Sequence, residues 1–186
     1  MKTDPRVRYT RMIIQTVFLE LLQQKPVNKI TVREVCEKAE INRSTFYKHY
    51  QDCYDLLDKM KDEALQQFDE MLAGMKELGV KATMTAILQM LKDNAVLFRA
   101  FRRQGGEHGF TNQLAGRCFD YMHMQISVHP ALGWNETQKG IVYSYLTGGA
   151  AAIIEYWLQN GCEEPPERIA DMTLELSKIL TAGLAG

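Results

Sequence analysis

The chain has 186 residues, 46% of them hydrophobic and 24% charged, a balance that suits a folded soluble protein and excludes a mainly disordered one. Its net charge of −1 hides an asymmetry: residues 1–50 hold ten lysines and arginines against five carboxylates, net +5, leaving 12 against 18, net −6, for residues 51–186. A basic module facing an anionic partner, joined to an acidic module with a different task, is the expected organisation.

Almost every segment reads as helix. Asp4-Pro5 is a start signal, an N-cap followed by proline at the first helical position, and Val7, Ile14, Val17, Phe18, Leu21 and Leu22 then recur on one face. The break Lys25-Pro26-Val27-Asn28 ends this helix near Gln24. Thr31-Val32-Arg33-Glu34 has the pattern of a capping box and opens a short second helix with Val35 and Ala39 facing inward. Glu40-Ile41-Asn42 supplies a tight turn, and Asn42 is the expected N-cap of a third helix of about two turns in NRSTFYKHY, residues 42–50. Asp52 caps the fourth helix, where Leu56, Leu57, Met60, Ala64 and Phe68 carry the period as far as about Met75. Beyond Gly79, helices are expected near 83–91, 94–103, 112–127, 136–160 and 167–184, with breaks at Gly105-Gly106, His129-Pro130 and 163–166. The predicted fold is therefore all-α: an N-terminal three-helix helix-turn-helix domain over 1–50, then a helical domain over 51–186 whose first part, 51–75, is a connecting helix.

The segment 42–50 contains no carboxylate. Phe46 and Tyr50 lie at i and i+4 with Ile41 just before them, so one face packs on the first helix. The other side presents Arg43, Ser44, Thr45, Tyr47, Lys48 and His49. Arg and Lys can bond guanine edges in a major groove, and hydroxyls bind phosphate oxygens. A basic amphipathic helix is more commonly a solvated face. The capped helix a fixed turn upstream, and the charge surplus in the same fifty residues, favour double-stranded DNA as the partner.

The run ITVREVCEKAEINRSTFYKHYQDCYDLL, residues 30–57, resembles the N-terminal domain of the TetR/AcrR family of bacterial transcription regulators, and the similarity spans about residues 5–60. The resemblance implies that Thr31, Thr45, Tyr47 and His49 grip the phosphate backbone, whereas Arg33, Arg43, Ser44 and Lys48 face base edges. One departure stands out. Family members commonly carry a phosphate-touching lysine near the start of the fourth helix, where this chain has Cys53; Lys59 or the basic arm of Lys2, Arg6 and Arg8 are the alternatives for that contact.

The resemblance also implies a C-terminal domain that dimerises and holds an effector pocket. In residues 143–161, the small residues 148–152 allow close approach of another helix, and the expected dimer seam comprises Gly148, Gly149, Ala150, Ala152 and Ile153 with Leu176 and Ile179 of the last helix. An internal contact within one subunit is the blander alternative. Phe98, Phe101, Phe119, Met122 and Tyr143 are candidates for an apolar effector pocket, against a plain-core reading of the same stripe.

Other classes find little support. No apolar run reaches the roughly 20 residues of a membrane span, and the polar, basic residues 1–10 lack a signal-peptide pattern, so a cytoplasmic protein is expected. The four cysteines are scattered and the four histidines lack ligand spacing, which predicts reduced thiols and no metal. Nucleophile-elbow, zinc-protease and phosphate-loop motifs are missing, so neither catalysis nor a cofactor is expected. The expectation is a homodimeric, ligand-responsive repressor of a palindromic operator with an unidentified small-molecule effector. The rival is a co-activator of the same fold that works through protein contacts with a metabolite-bound partner.

Overall fold

The computed structural model describes residues 4–105, 109–125 and 134–183. All regular structure among them is helical: α1 Pro5–Gln24, α2 Val32–Lys38, α3 Arg43–Tyr47, α4 Cys53–Ala73, α5 Met75–Leu78, α6 Val80–Asp93, α7 Ala95–Gly105, α8 Gly109–Gln125, α9 Glu136–Gln159 and α10 Pro166–Gly183. A single 3-10 turn, Val27–Lys29, fills the break after α1. The chain divides into two compact units, Met1–Ala64 with Val96–Phe101, and Leu65–Ala95 with Arg102–Gly186.

In the first unit the local signals act as the sequence suggests. Asp4 Oδ1 accepts the Arg6 N–H (2.9 Å) ahead of Pro5, so α1 starts with one orphan amide satisfied and proline in a position that needs no donor. Ile14, Val17, Phe18, Leu21 and Leu22 of α1 are buried together with Val35, Phe46, Tyr50, Leu56 and Leu57. This core holds the short α2 and α3, which have too few residues to be stable helices in isolation.

Between α2 and α3 the chain turns through a Schellman motif. Glu40 takes a left-handed conformation (φ 53°); the Ile41 N–H donates to the Cys36 carbonyl (3.0 Å) and the Glu40 N–H to that of Glu37 (3.4 Å). Glycine is the residue that adopts this backbone without a side-chain penalty, so Glu40 costs about 1 kcal/mol here.

In the second unit, α6 lies against α10, and α8 against α9. Its core includes Phe68, Ile87, Leu88, Leu91, Leu114, Ala151, Ile154, Trp157 and Ala170. The Trp157 indole N–H donates to the Glu164 carbonyl (2.8 Å), fastening the loop between α9 and α10. Tyr143 Oη donates to Asp120 (2.8 Å), Tyr121 Oη to the Ala73 carbonyl (3.3 Å), and Arg117 pairs with Asp69. These polar ties connect α9 to α8 and α8 to the end of α4.

Candidate nucleic-acid interface

The predicted capping box is present at the start of α2. The Glu34 N–H donates to Thr31 Oγ1 (3.3 Å) and the Thr31 N–H donates to Glu34 Oε2 (3.0 Å). Lys25 also pairs with Glu34, and together these donors hold the Glu34 carboxyl down at about 2. Thr31 is exposed, but its hydroxyl proton goes to Glu34 Oε2 (2.9 Å). A hydroxyl has one proton, so Thr31 grips a phosphate only by turning that proton away from Glu34. Arg33, also exposed, donates from Nε to Glu37 Oε1 (2.6 Å), an i, i+4 pair that commits one of its five N–H donors.

The third helix is shorter than its sequence suggests. Residues 43–47 are helical, and the chain leaves through a 3-10-type bond from the His49 N–H to the Phe46 carbonyl (2.9 Å). Asn42 caps it through its backbone alone: its carbonyl accepts the Thr45 and Phe46 N–H groups (2.9 and 3.2 Å), and its side chain makes no capping bond. Phe46 and Tyr50 are buried with ring centres 5.6 Å apart, the arrangement expected from their i, i+4 spacing. That anchored underside leaves Arg43, Ser44, Tyr47 and Lys48 exposed, with Thr45 and His49 half-buried. Tyr47 is 56% exposed although its ring meets Phe46 edge-on at 5.8 Å. Burial, reinforced by the positive charges of Arg11, Lys48 and Lys59, pushes the His49 pKa below its ordinary value.

At the start of α4, Asp52 Oδ1 accepts the Tyr54 and Asp55 N–H groups (both 2.8 Å), the cap that the sequence predicts. Cys53 points into the core, and burial pushes its thiol up to about 11. Its neighbour Tyr54 is exposed and brings a hydroxyl donor to this helix start. Sequence reasoning overlooked Tyr54, because an isolated tyrosine beside a cap carries no periodic signal. Lys59, a candidate replacement for the lysine that Cys53 displaces, is engaged within the fold: its Nζ donates to the His49 carbonyl and to Asp55 Oδ2, both at 2.9 Å. Of the basic arm, Arg6 and Arg8 are exposed on α1, while Lys2 lies outside the described residues.

Comparison with known proteins accords with this geometry. A family profile described as bacterial regulatory proteins, tetR family, matches residues 18–60, which contain α2, α3 and the start of α4. A second, a TetR-type profile described as transcriptional regulator C-terminal region, matches residues 80–178, more than half of the chain. The chain belongs to the TetR family. That family is regulatory, not catalytic. This TetR-family chain is 26% identical over 174 residues to the uncharacterized HTH-type transcriptional regulator YxbF of Bacillus subtilis (strain 168), matching across 90% of its own length and 44% of that protein's. Its fold is similar to that of the dihydroxyacetone kinase operon activator DhaS (TM-score 0.65, 18% identity, 93% of this chain and 96% of that one). It is also similar to a structure described as a candidate transcriptional regulator from Pseudomonas aeruginosa PAO1 (TM-score 0.63, 14% identity, 99% and 95%).

The remaining predicted residues fall in separate places. On α9, Gly148, Gly149 and Ala152 are exposed and Ile153 is half-buried, whereas Ala150 is buried in its own unit on the side that carries Ala151, Ile154 and Trp157. Leu176 and Ile179 of α10 are exposed, and so are Met172 on the same helix and Ile141, Tyr145 and Tyr156 on α9. Of the aromatic candidates, Phe98 and Phe101 meet edge-on (5.8 Å), buried in the first unit. Phe119 and Tyr143 meet edge-on (6.0 Å) between α8 and α9 of the second. The Met122 side chain lies outside the described residues. Among the described residues no cluster of three or more metal-ligating side chains occurs, and no helix is long and apolar enough to cross a membrane.

Proposed function

We propose that this chain is a homodimeric repressor that binds a palindromic operator and responds to a small-molecule effector, working in the cytoplasm without metal or cofactor. The reading rests above all on one observation: the exposed row Arg43, Ser44, Tyr47 and Lys48, carried by a segment whose underside, Phe46 and Tyr50, is fully buried. A side chain fixed from beneath can address a groove with little loss of conformational freedom on binding. In this reading Arg33, Arg43, Ser44 and Lys48 meet base edges, and Thr31, Thr45, Tyr47 and His49 meet phosphates. Residues 1–50 form the DNA-binding domain, and residues 51–186 form the effector-binding and dimerisation domain, with 51–75 connecting them.

Two features support the dimer. Ile141, Tyr145, Gly149, Ala152 and Tyr156 recur along one exposed stripe of α9, and Met172, Leu176 and Ile179 along one of α10, the helix it touches. Exposed apolar stripes on two helices in contact suit an interaction site better than a solvated face. Gly148 and Gly149 sit inside a helix, where each glycine costs about 1 kcal/mol relative to alanine, yet an added Cβ would meet nothing within 4 Å at either position. Crowding within the subunit therefore does not explain them, and the close approach of a second α9 does. The effector is assigned to the second unit, beside Phe119 and Tyr143, with Met122 at the same helix end.

The experiment is selection of duplexes from a randomised pool by the purified chain, followed by titration at rising salt. The expected result is enrichment of a two-fold symmetric sequence with half-sites about 34–36 Å apart, and a steep loss of affinity with salt. Enrichment without symmetry argues against the dimeric reading; no enrichment argues against DNA binding and returns the co-activator alternative.

A further inference from the structure

Residues 49–51, which lead out of the recognition segment, are held from outside by two α4 side chains one turn apart. Lys59 Nζ donates to the backbone carbonyl of His49 (2.9 Å) and to Asp55 Oδ2 (2.9 Å), and stands 5.5 Å from the centre of the Tyr50 ring. The same Asp55 oxygen accepts the Gln51 N–H (2.8 Å). His49 is therefore held by its carbonyl, Tyr50 by its ring and Gln51 by its amide. Carbonyls at the end of a helix have no intrahelical partner, and a cation is the strongest donor that can be brought to one.

An i, i+4 aspartate–lysine pair on a solvated helix face contributes little to stability. This pair differs because its third member is a backbone carbonyl ten residues upstream, just beyond Tyr47 and Lys48. Two of the three ammonium protons are already committed inside the fold. Cys53 at the start of α4 is buried, and Lys59, about a turn and a half further along that helix and one of the candidates for a phosphate contact, is bonded to the segment's end instead.

We infer that Lys59 is a positioning residue for DNA reading: it clamps the end of the recognition segment onto α4 and so sets where Tyr47, Lys48 and His49 stand, instead of holding a phosphate itself. The inference rests on the DNA-binding reading above. Its mechanism makes a distinctive demand on the affinities. A phosphate contact strengthens binding to all sequences alike and adds about one to the salt slope, whereas this positioning clamp acts most on the selected sequence, through Lys48, and leaves the slope in place.

The test uses the duplex that the parent chain enriches from a randomised pool and a scrambled duplex of the same length. Lys59→Met, which keeps the aliphatic stem, is expected to lose about tenfold in affinity for the selected duplex, the weight of one charge-assisted hydrogen bond. Its loss on the scrambled duplex, where only the phosphate contacts of Tyr47 and His49 are displaced, should be smaller, with an unchanged salt slope. Lys59→Arg, which retains charge and donors, should recover most of the lost selectivity. Equal losses on both duplexes with a slope reduced by about one would make Lys59 a phosphate contact and overturn the inference. Parent-like binding to both would overturn it too. Should circular dichroism show Lys59→Met unfolded, Asp55→Asn carries the test: a lowered ratio of selected to scrambled affinity supports the clamp, and a parent-like ratio overturns it. A parent chain that enriches no duplex removes the DNA-binding reading itself, and the clamp with it.

Discussion

The recognition segment and the α9–α10 surface are opposite solutions to placing side chains. Between residues 31 and 59 nearly every exposed functional residue has a tether close by: the Thr31–Glu34 box, the Arg33–Glu37 pair, the Phe46–Tyr50 anchor and the Lys59 bond to the His49 carbonyl. On α9 and α10 the exposed stripes, Ile141, Tyr145, Gly149, Ala152 and Tyr156 with Met172, Leu176 and Ile179, are apolar or small, and nothing lies within 4 Å of a Cβ built at Gly148 or Gly149. A polar site that must reach an anion in fixed geometry is set in advance by its own subunit. An apolar surface needs only shape, and in the proposed dimer a second copy completes it.

The comparison can be broken first at its anchor. Phe46→Ala removes a fully buried ring and should cost about 3–5 kcal/mol, enough to unfold the first unit, read as an early separate transition in urea or heat. A single transition with parent-like midpoint would mean that the anchor is not where the unit's stability lies. Next comes the open surface. Leu176→Glu with Ile179→Glu should leave the helical content intact, since both side chains are exposed, yet convert the proposed dimer to monomer, with a loss on the order of 2–4 kcal/mol of association energy seen by light scattering. A surface serving only as solvated face would show no change in mass.

Smaller effects sharpen the contrast within the recognition row. Lys48→Ala should cost about 1–3 kcal/mol on the selected duplex and relax its sequence preference, while Tyr47→Phe, losing one hydroxyl, should cost about 1 kcal/mol on selected and scrambled duplexes alike. Fluorescence anisotropy with the two duplexes separates them. If both variants bind like the parent, this row does not face DNA. Glu40→Gly relieves the left-handed backbone in the turn before the segment and should stabilise the first unit by about 0.5–1 kcal/mol in urea titrations, with operator affinity unaltered.

The smallest effect is that of His49. Its pKa is lowered in the fold, so the neutral ring is the favoured form there; its contribution to stability is complete above the unfolded value and is lost as pH falls through the lowered folded one. A nearby phosphate favours the charged ring, so operator affinity should rise over the same descent in pH. His49→Gln should flatten both profiles, and a parent-like pH dependence of affinity in that variant would remove His49 from the contact.

Much of the first unit was legible in the chain because its signals are short-range. The Asp4-Pro5 start, the Thr31–Glu34 box and the Asp52 cap each depend on residues a few positions apart, and all three form as the spacing predicts. The family pattern in residues 30–57 sits on the last two of these. The length of α3 was less legible: the polar period continues to His49, but the helix ends at Tyr47 and a 3-10-type bond carries the chain on to the buried Tyr50. On α9 the apolar and small residues run all round the helix, so periodicity could not tell the inward Ala150 from the outward Ala152.

By itself the sequence determined the all-helical class, the Asp4, Thr31 and Asp52 caps, the break after α1, and the anchored underside of the recognition segment, because each follows from helix period and backbone donors within a turn or two. Only tertiary structure decided that Cys53 faces the core, that Lys59 closes on the carbonyl of His49, and which stripe of α9 is left uncovered. Those outcomes depend on which side of a helix meets a neighbour distant in the chain, and a one-dimensional pattern records that only where polar and apolar sides differ.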